Sequence, residues 1–441
     1  MFIFLEQFEN SCVVTSLKSE VENMAAVRDH LKRLSKSMLG ALEMVPENPE
    51  SPISVKSELQ SLLAIEEFED VNVAAVKFVL GCAMLSSATS STSNLLSWIP
   101  PTISLEAAAS VKELHPQTRN LFSSIDKSLL FEVIMRAVPL LKDKIKESSI
   151  EKNKYGDEIS AACARTPVGF AVLAANQLRW LVTQVEKEEL EKLSSLIIPC
   201  GLTALDHWSP DVKLQGMNIF VYLARNVKAS SLAVYEDAIL DACCHNIASA
   251  DEIWGNAVEV SVSLITLTQH SNPRSQWYER LMNETLNHLE RQPRNKDRRA
   301  AWLKFIDPVI EALGLVLLSH FQRLFPLFFV WIHADDDETV LLVLQRIRTA
   351  IRVTWMRNTS HLERLVNELL ALYKEAAMKT AREEIRGEVC RIILLLQRCK
   401  FPAFERVWIA LRDDANFASL KHEVEKRAVS EPESVRSITE Q

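Results

Sequence analysis

Glycine is scarce in this sequence, with nine residues among 441, about 2% against a usual ~7%. Tight β-turns, β-bulges and phosphate-binding loops depend on glycine, because it adopts left-handed backbone conformations without steric cost. The sequence also lacks sustained alternation of polar and apolar residues and contains no Asn-Gly or Asp-Gly hairpin turn. We therefore predict an all-α protein.

Apolar residues recur at helical spacing along most of the chain, and 48% of all residues are hydrophobic. One example is the segment after Asp337, where a single helical face would carry Val340, Val343, Leu344, Ile347, Ile351 and Thr354. A chain of 441 residues is too long for one ordinary core. The helices should therefore form an extended array or several units.

Two segments resemble each other, Leu193 to Gly216 and Arg323 to Gln345. Each has an apolar run, a proline, a second apolar run and an acidic turn before a new helix. The proline is expected to bend the first helix, and the acidic residues to cap the second. A hairpin with one apolar stripe per helix must stack on neighbours to bury it. This predicts an α-α superhelix of stacked helical hairpins.

Composition shifts suggest where the array is interrupted. We expect a single α-solenoid over residues 1–412, with a Ser/Thr-rich loop at 86–101 and a polar connection at 146–158. Residues 413–441 should form a C-terminal helix and a loose tail. The stretch Ser86 to Ser97 could be phosphorylated, although an unmodified flexible loop is equally compatible with its composition.

Charge and cysteine usage narrow the class of protein. The net charge of −8 and the pI near 5.8 argue against nucleic-acid binding. The eight cysteines are scattered through apolar helical stretches, which predicts reduced thiols in a cytoplasmic or nuclear protein. The most membrane-like stretch, Val309 to Ile332, is interrupted by charged and polar residues, so we expect no membrane span.

Motifs for catalysis or metal binding are missing from the sequence. It has no G-x-S-x-G elbow, no Walker or dinucleotide-binding glycine motif and no H-E-x-x-H. Cys243, Cys244 and His245 offer zinc-ligand chemistry, but a structural zinc site needs four donors and no second pair follows. We predict that the protein is not an enzyme and uses no cofactor or metal.

The best candidates for partner recognition are Arg348, Arg352 and Trp355. They flank the apolar stripe of a second hairpin helix, and second helices line the inner surface of HEAT-type solenoids. Arginine and tryptophan also dominate interface hot spots. In the alternative interpretation, the arginines simply pair with neighbouring carboxylates.

A locally basic run, Arg291 to Lys304, contains three further candidates, Arg294, Arg298 and Arg299. It could dock an acidic or phosphorylated segment of a partner. Alternatively, it is a solvated loop followed by the first turn of a helix. The acidic cluster Asp335 to Glu338 is interpreted as helix capping, because four adjacent carboxylates do not converge on one ion.

The segment Ile197 to Leu223 resembles a HEAT repeat. Its proline-bent first helix and its Asp…Val-Lys corner place Pro199, Asp206, Val212 and Lys213 at the matching positions. HEAT repeats occur in transport receptors, phosphatase scaffolds and many adaptors. An unrelated HEAT/armadillo adaptor, such as a phosphatase regulatory or transport scaffold, is therefore one hypothesis for this chain.

A narrower resemblance covers roughly residues 190–400. The HEAT-like repeat is followed by Ser230 to Ile247 and then by Glu284 to Gly314, an order similar to the Tel-two-interacting protein two family. That resemblance implies an α-solenoid subunit of a co-chaperone with Tel-two and Tel-two-interacting protein one. The complex would help the Hsp-ninety chaperone to mature phosphatidylinositol-3-kinase-related kinases. The resemblance implies no functional residue, because the matching positions are structural ones.

Overall fold

The computed structural model describes residues 24–46, 53–67, 69–91, 93–117, 129–148, 166–249, 252–354 and 361–398, together with 408, 417–422 and 426. The chain divides into two compact units, Met1–Ala242 and Cys243–Gln441. Within the described ranges, helices are joined by short turns and no β-strand occurs. The all-α prediction is confirmed, whereas the single solenoid over residues 1–412 stays a prediction.

The first unit is built from paired helices. Its helices are α1 over residues 24–43, α2 Val55–Leu63, α3 Val71–Ser87, α4 Pro101–Gln117, α5 Leu129–Glu147, α6 Val168–Gln184, α7 Lys187–Leu205, α8 Pro210–Asn226 and α9 Ala229–Leu232. Consecutive helices form pairs, α5 with α6 and α7 with α8, and these pairs stack through α5 on α7 and α6 on α8. Helix α10, Glu236–Ser249, spans the boundary between the units.

The second unit continues the same pattern. Its helices are α11 Trp254–Thr268, α12 Gln276–Arg291, α13 Lys296–Phe305, α14 Asp307–Leu313, α15 Phe321–Trp331, α16 Asp337–Thr354, α17 Leu362–Glu375 and α18 Arg382–Arg398. One row contains α11, then α13 and α14, then α16 and α18, while α12 packs on α15 in the other row. Apart from α13 and α14, which share a row, the consecutive helices from α11 to α16 therefore alternate between two layers, as stacked helical hairpins do.

Helix α16 shows why this sequence folds into hairpins. All six residues of its predicted stripe, Val340 to Thr354, are buried. Helix α16 packs on α13 and α14 as well as on α18, the neighbouring helices of the same row, and it also contacts α15. The predicted stripe and its stacking on neighbours are confirmed.

The prolines of the two similar segments lie inside the first helix of each hairpin, as predicted, whereas the acidic residues follow the prediction only in part. Pro199 lies inside α7 and Pro326 inside α15. Asp336 caps α16, since its Oδ1 accepts a 2.9 Å hydrogen bond from the Thr339 amide. The prediction that Asp211 caps α8 is wrong in detail. Asp211 lies within the first turn, where its charge favours the helix dipole, and the N-cap residue is Ser209.

Glycine is used for close helix packing and for one turn. A Cβ atom on Gly216 of α8 would lie 3.1 Å from both the Ala204 Cβ and the Leu205 amide nitrogen of α7. Its absence lets the two helices of this hairpin approach each other. Among the described glycines, only Gly314 has a positive φ, 52°, and it ends α14. Gly216 thus allows close helix packing, and Gly314 allows a helix to end.

The predicted Ser/Thr-rich loop at 86–101 is more ordered than expected. Helix α3 continues to Ser87, short 3-10 helices cover Ala88–Ser90 and Asn94–Leu96, and α4 begins at Pro101. The side chains of Ser86 and Ser87 are buried, so these two serines are not accessible to a kinase in this structure. Helix α5 extends to Glu147, and residues 149–158 of the predicted polar connection lie outside the described residues.

Two described stretches, Val71–Ser90 and Asp307–Trp331, are long and apolar enough to cross a membrane by length and composition alone. In the folded chain, 78% and 50% of their most apolar windows are buried. The second stretch is broken into α14, a 3-10 helix over Gly314–His320, and α15.

Candidate functional site

A charged groove of about 480 Å³ lies on the second unit where α14, α16 and α18 adjoin. Its charged lining consists of Arg348 and Arg352 from α16, Arg391 and Arg398 from α18, and Asp307 and Glu311 from α14. Arg348 and Arg352 are four residues apart, and Arg391 and Arg398 are seven apart, so each pair shares a helix face. The stacking of α16 on α18 brings the two pairs together.

Glu388 anchors two of these arginines at the wall of the groove. Its side chain is only 10% exposed and lies 3.6 Å from the Nε of Arg348. The Arg391 guanidinium donates a hydrogen bond to the other oxygen of the same carboxylate. Arg348 and Arg391 remain 45% and 47% exposed, so each presents part of its guanidinium to solvent.

The pair formed by Arg352 and Glu311 is exposed on both sides. The two side chains are 60% and 51% exposed, and the guanidinium donates to the carboxylate. Such a surface ion pair contributes about 0–1 kcal/mol, because water screens the charges and two long side chains lose freedom. A stronger anion could therefore displace Glu311 from Arg352.

Arg346 supports the groove from below. Its side chain is 9% exposed and its Nη1 lies 2.9 Å from the Asp307 carboxylate. Burial lowers the pKa of this guanidinium from its usual value, while the Asp307 charge acts in the opposite direction. Because Arg346 is buried and paired, it holds α14 against α16.

The groove contains two of the predicted recognition residues and adds two that the sequence reasoning missed. Arg348 and Arg352 lie in it, as residues of a second hairpin helix, while Trp355 lies outside the described residues. Arg391 and Arg398 were not predicted. Their spacing of seven residues on an amphipathic helix was a possible signal, but only the stacking of α18 on α16 places them beside Arg348.

The three candidates from the basic run lie elsewhere, on α13 and the turn before it. Arg299 pairs with Asp336 and donates a 3.2 Å hydrogen bond to the Thr339 hydroxyl. Arg298 lies over the Trp254 ring, 5.7 Å from its centre. Arg294 is exposed, and its carbonyl accepts a hydrogen bond from Arg299. Arg298 and Arg299 therefore make contacts within the chain, and their role in partner binding stays a prediction.

The cysteine pair examined as a zinc site is buried. Cys243 and Cys244 are at most 1% exposed, and burial raises the pKa of the Cys243 thiol, which favours the neutral form. Within the described ranges, no group of three or more potential ligands is placed to hold a metal ion.

The corner between α7 and α8 is held by a buried histidine. His207 Nδ1 accepts a 3.0 Å hydrogen bond from the Ser209 amide, and its Nε2 lies 3.1 Å from the Ser148 hydroxyl. Burial lowers the pKa of His207 to about 4, so the ring is neutral at pH 7. This histidine stabilises the helical corner of the HEAT-like segment.

The solved structure of importin beta has a related fold. The chain matches it with a TM-score of 0.50 and 12% sequence identity, over 91% of this chain and 48% of importin beta. At this identity the likeness concerns the fold alone. It supports the assignment to the class of HEAT/armadillo-like helical-hairpin proteins.

Relatives by sequence lie in plants and animals. An uncharacterized protein of Arabidopsis thaliana is 47% identical over 408 residues, 89% of this chain and 94% of that protein. Human TELO2-interacting protein 2 is 21% identical over 240 residues, and the rat protein of the same name is 22% identical over 241. Each match covers 50% of this chain and 47% of the mammalian protein, so the alignment spans about half the length of each mammalian relative.

The sequence model of the Tti2 family matches residues 85–334. This match begins well before residue 190 and ends before residue 400, which corrects the expected extent of the resemblance. It covers more than half of the chain, and it includes the α7–α8 segment on which the resemblance was based. The chain belongs to the Tti2 family.

Proposed function

We propose that this protein is a non-catalytic scaffold subunit of a Tel2-type co-chaperone complex. In that role it would assist the Hsp90 chaperone in the maturation and stability of phosphatidylinositol-3-kinase-related kinases. The observation that carries the proposal is the family match over residues 85–334, together with the similarity to a mammalian protein named for its interaction with TELO2.

The fold supports a role in protein binding. Stacked helical hairpins present long rows of helix faces, which other helical proteins can contact over large areas. The groove on the second unit adds exposed guanidiniums, whose planar sets of N–H donors suit anionic groups. This chemistry is suited to recognition rather than to proton transfer.

The proposed partners are other α-solenoid proteins, the Tel2-type and Tel2-interacting protein 1-type subunits, with chaperone and kinase clients bound indirectly. Nucleic acid and membrane are not among the proposed partners, in line with the net charge of −8. We propose a cytoplasmic location, and a fluorescent fusion of the full chain tests whether the protein is also present in the nucleus.

Co-expression tests the proposal directly. The full chain would be tagged, expressed with the Tel2 and Tel2-interacting protein 1 homologues of the same organism, purified, and analysed by size-exclusion chromatography. We expect a stable complex that contains this chain and at least one of the two partners. The unrelated-adaptor hypothesis predicts instead the recovery of a phosphatase catalytic subunit or a small GTPase from cell extracts, with neither homologue bound. That result would overturn the proposal.

A second measurement addresses partner dependence. Because a ligand that binds only the folded state stabilises it by mass action, the Tm of the chain should rise when a true partner is added. An albumin control at the same concentration should leave the Tm unchanged. A partner that co-elutes without raising the Tm would indicate association through unfolded or tail segments.

A further inference from the structure

We infer that the groove between α14, α16 and α18 binds a phosphorylated serine or threonine within an acidic segment of a partner protein. The proposal goes beyond membership of a co-chaperone complex, because it assigns a ligand chemistry to one surface. It holds whichever protein supplies the segment.

The first argument is the local charge. Five arginines lie at or just beneath the groove, Arg346, Arg348, Arg352, Arg391 and Arg398, against three carboxylates, Asp307, Glu311 and Glu388. Among the described residues that line the groove, arginines outnumber carboxylates by four to two, on a chain whose net charge is −8. An anionic ligand would be attracted to it from solution.

The second argument concerns the strength of anion required. Three of the exposed arginines already have carboxylate partners from within the chain, Glu388 for Arg348 and Arg391 and Glu311 for Arg352. An Asp or Glu side chain of a partner carries the same single negative charge as Glu388 or Glu311. Replacing one carboxylate with another would therefore gain little binding free energy. A phosphate monoester carries about −1.5 to −2 charges and three acceptor oxygens, so it can outcompete these carboxylates.

The third argument is geometric. Guanidiniums from α16 and α18 approach the groove from both walls, which suits an anion that accepts hydrogen bonds in several directions. Leu394 and Leu395 of α18 also line the groove and offer apolar contact to residues beside the phosphate. A volume of about 480 Å³ accommodates a phosphorylated side chain and its neighbours.

The chemistry separates this groove from the basic run around α13. Arg299 has its guanidinium bound to Asp336 and Thr339, and it is only 12% exposed. Arg352 is 60% exposed and held by one exposed carboxylate. Of these two sites, the groove is therefore the one that is open to an external anion.

The test uses the purified full chain and fluorescent peptides. One short acidic peptide carries a central phosphoserine, and its twin carries serine at that position. Fluorescence anisotropy should show that the phosphorylated peptide binds at least about tenfold more tightly, and that added salt weakens the binding. Equal affinities for the two peptides would overturn the phosphate assignment.

Three variants locate the site. Arg352→Glu should weaken binding of the phosphopeptide by about tenfold or more, with a Tm close to that of the unmodified chain because its pair is exposed. Glu311→Gln removes the competing carboxylate and should strengthen binding by about two- to fivefold. Arg382→Glu is the matched control, because Arg382 is an exposed arginine on α18 outside the groove. It should change neither the affinity for the phosphopeptide nor the Tm.

The gain of affinity in Glu311→Gln keeps the test independent of folding defects, because damage to the structure would not tighten binding. Unchanged affinity in both Arg352→Glu and Glu311→Gln would place the phosphopeptide elsewhere and overturn the inference. Heparin or single-stranded RNA serves as the competing polyanion. If either binds the groove more tightly than the phosphopeptide, the groove is a general polyanion site and the assignment to a partner protein is wrong.

Discussion

The guanidinium of Arg299 pairs with the carboxylate of Asp336 and so joins α13 to the corner that precedes α16. Asp336 also accepts a hydrogen bond from the Thr339 amide. Burial raises the pKa of this carboxyl, but the hydrogen bonds from Thr339 and the pairing with Arg299 outweigh it and lower the pKa to about 2. An arginine from the basic run therefore stabilises the contact between neighbouring helices.

Asp336→Asn should destabilise the chain in a pH-dependent manner. A pKa of about 2 in the folded state, against 3.8 ordinarily, corresponds to about 2 kcal/mol of stability at neutral pH. This contribution is complete above about pH 4 and is lost as the pH falls through the folded pKa, with about half gone near pH 3. Denaturant unfolding of both proteins at neutral pH and near pH 3 measures the difference.

The control for this experiment is Asp335→Asn, since Asp335 is exposed and lies next to Asp336 in the chain. It should unfold like the unmodified protein at both pH values. A stability difference for Asp336→Asn that is the same at both pH values would contradict the assigned pKa.

His333→Gln should also lower the stability in a pH-dependent manner, but here the loss of stability should be larger at low pH than at high pH. Burial lowers the pKa of His333, but hydrogen bonds to Glu375 at 2.7 Å and Glu368 at 2.9 Å outweigh it and raise the pKa above its ordinary value. The ion-paired form is stabilising below the unfolded pKa of about 6.5, and this contribution is lost as the pH rises through the folded pKa.

The Tm difference between the unmodified chain and His333→Gln should therefore be larger near pH 6 than near pH 9. The exposed His270 provides a matched control, and His270→Gln should leave the Tm unchanged at both values. A difference that grows toward alkaline pH would show that burial, and not the two carboxylates, dominates at His333.

Two glycines should respond to substitution in opposite directions. Gly216→Val should destabilise the protein by about 1–3 kcal/mol, because the added atoms meet the α7 backbone at Leu205. Gly387→Ala should stabilise α18 by about 0.5–1 kcal/mol, because the added Cβ meets no packed neighbour within 4 Å and alanine favours helix. Urea unfolding of both variants and of the unmodified chain measures these changes in stability. A Gly216→Val variant as stable as the unmodified chain would contradict the close α7–α8 packing.

Trp331→Phe should cost about 1–2 kcal/mol of stability. The buried indole of Trp331 donates a 2.7 Å hydrogen bond to the Pro293 carbonyl, and phenylalanine keeps much of the ring but leaves this acceptor without its donor. Trp331→Ala should cost about 3–5 kcal/mol, because it also opens a cavity beside Trp302. Equal losses for the two variants would show that the hydrogen bond, and not packing, accounts for the effect.

Local sequence signals predicted the helical hairpins well. The α16 stripe and the internal Pro199 and Pro326 were all identifiable, because helix periodicity and proline geometry act over a few residues. The flexibility of the loop at 86–101 was overestimated. Its serines suggested a flexible segment, but Ser87 is buried in α3, and burial depends on helices that pack from elsewhere in the chain.

Only two of the four arginines that line the groove could be predicted from the sequence. Arg348 and Arg352 could be placed on one helix face, since residues four apart are neighbours on any helix. Arg391 and Arg398 could not be connected with them. More than thirty residues intervene, and no local sequence pattern indicates which helices stack on one another.

By itself, the sequence determined that the chain is all helical, that its hairpins combine a proline-containing first helix with an acidic corner, and that it resembles the Tti2 family. These properties arise from contacts within a few residues, or from the order of motifs along the chain. Only the tertiary structure decided that Arg299 and Arg346 join helices while Arg352 faces an open groove. Burial and ion pairing depend on contacts between helices far apart in the chain, and the packing of α14, α16 and α18 establishes those contacts.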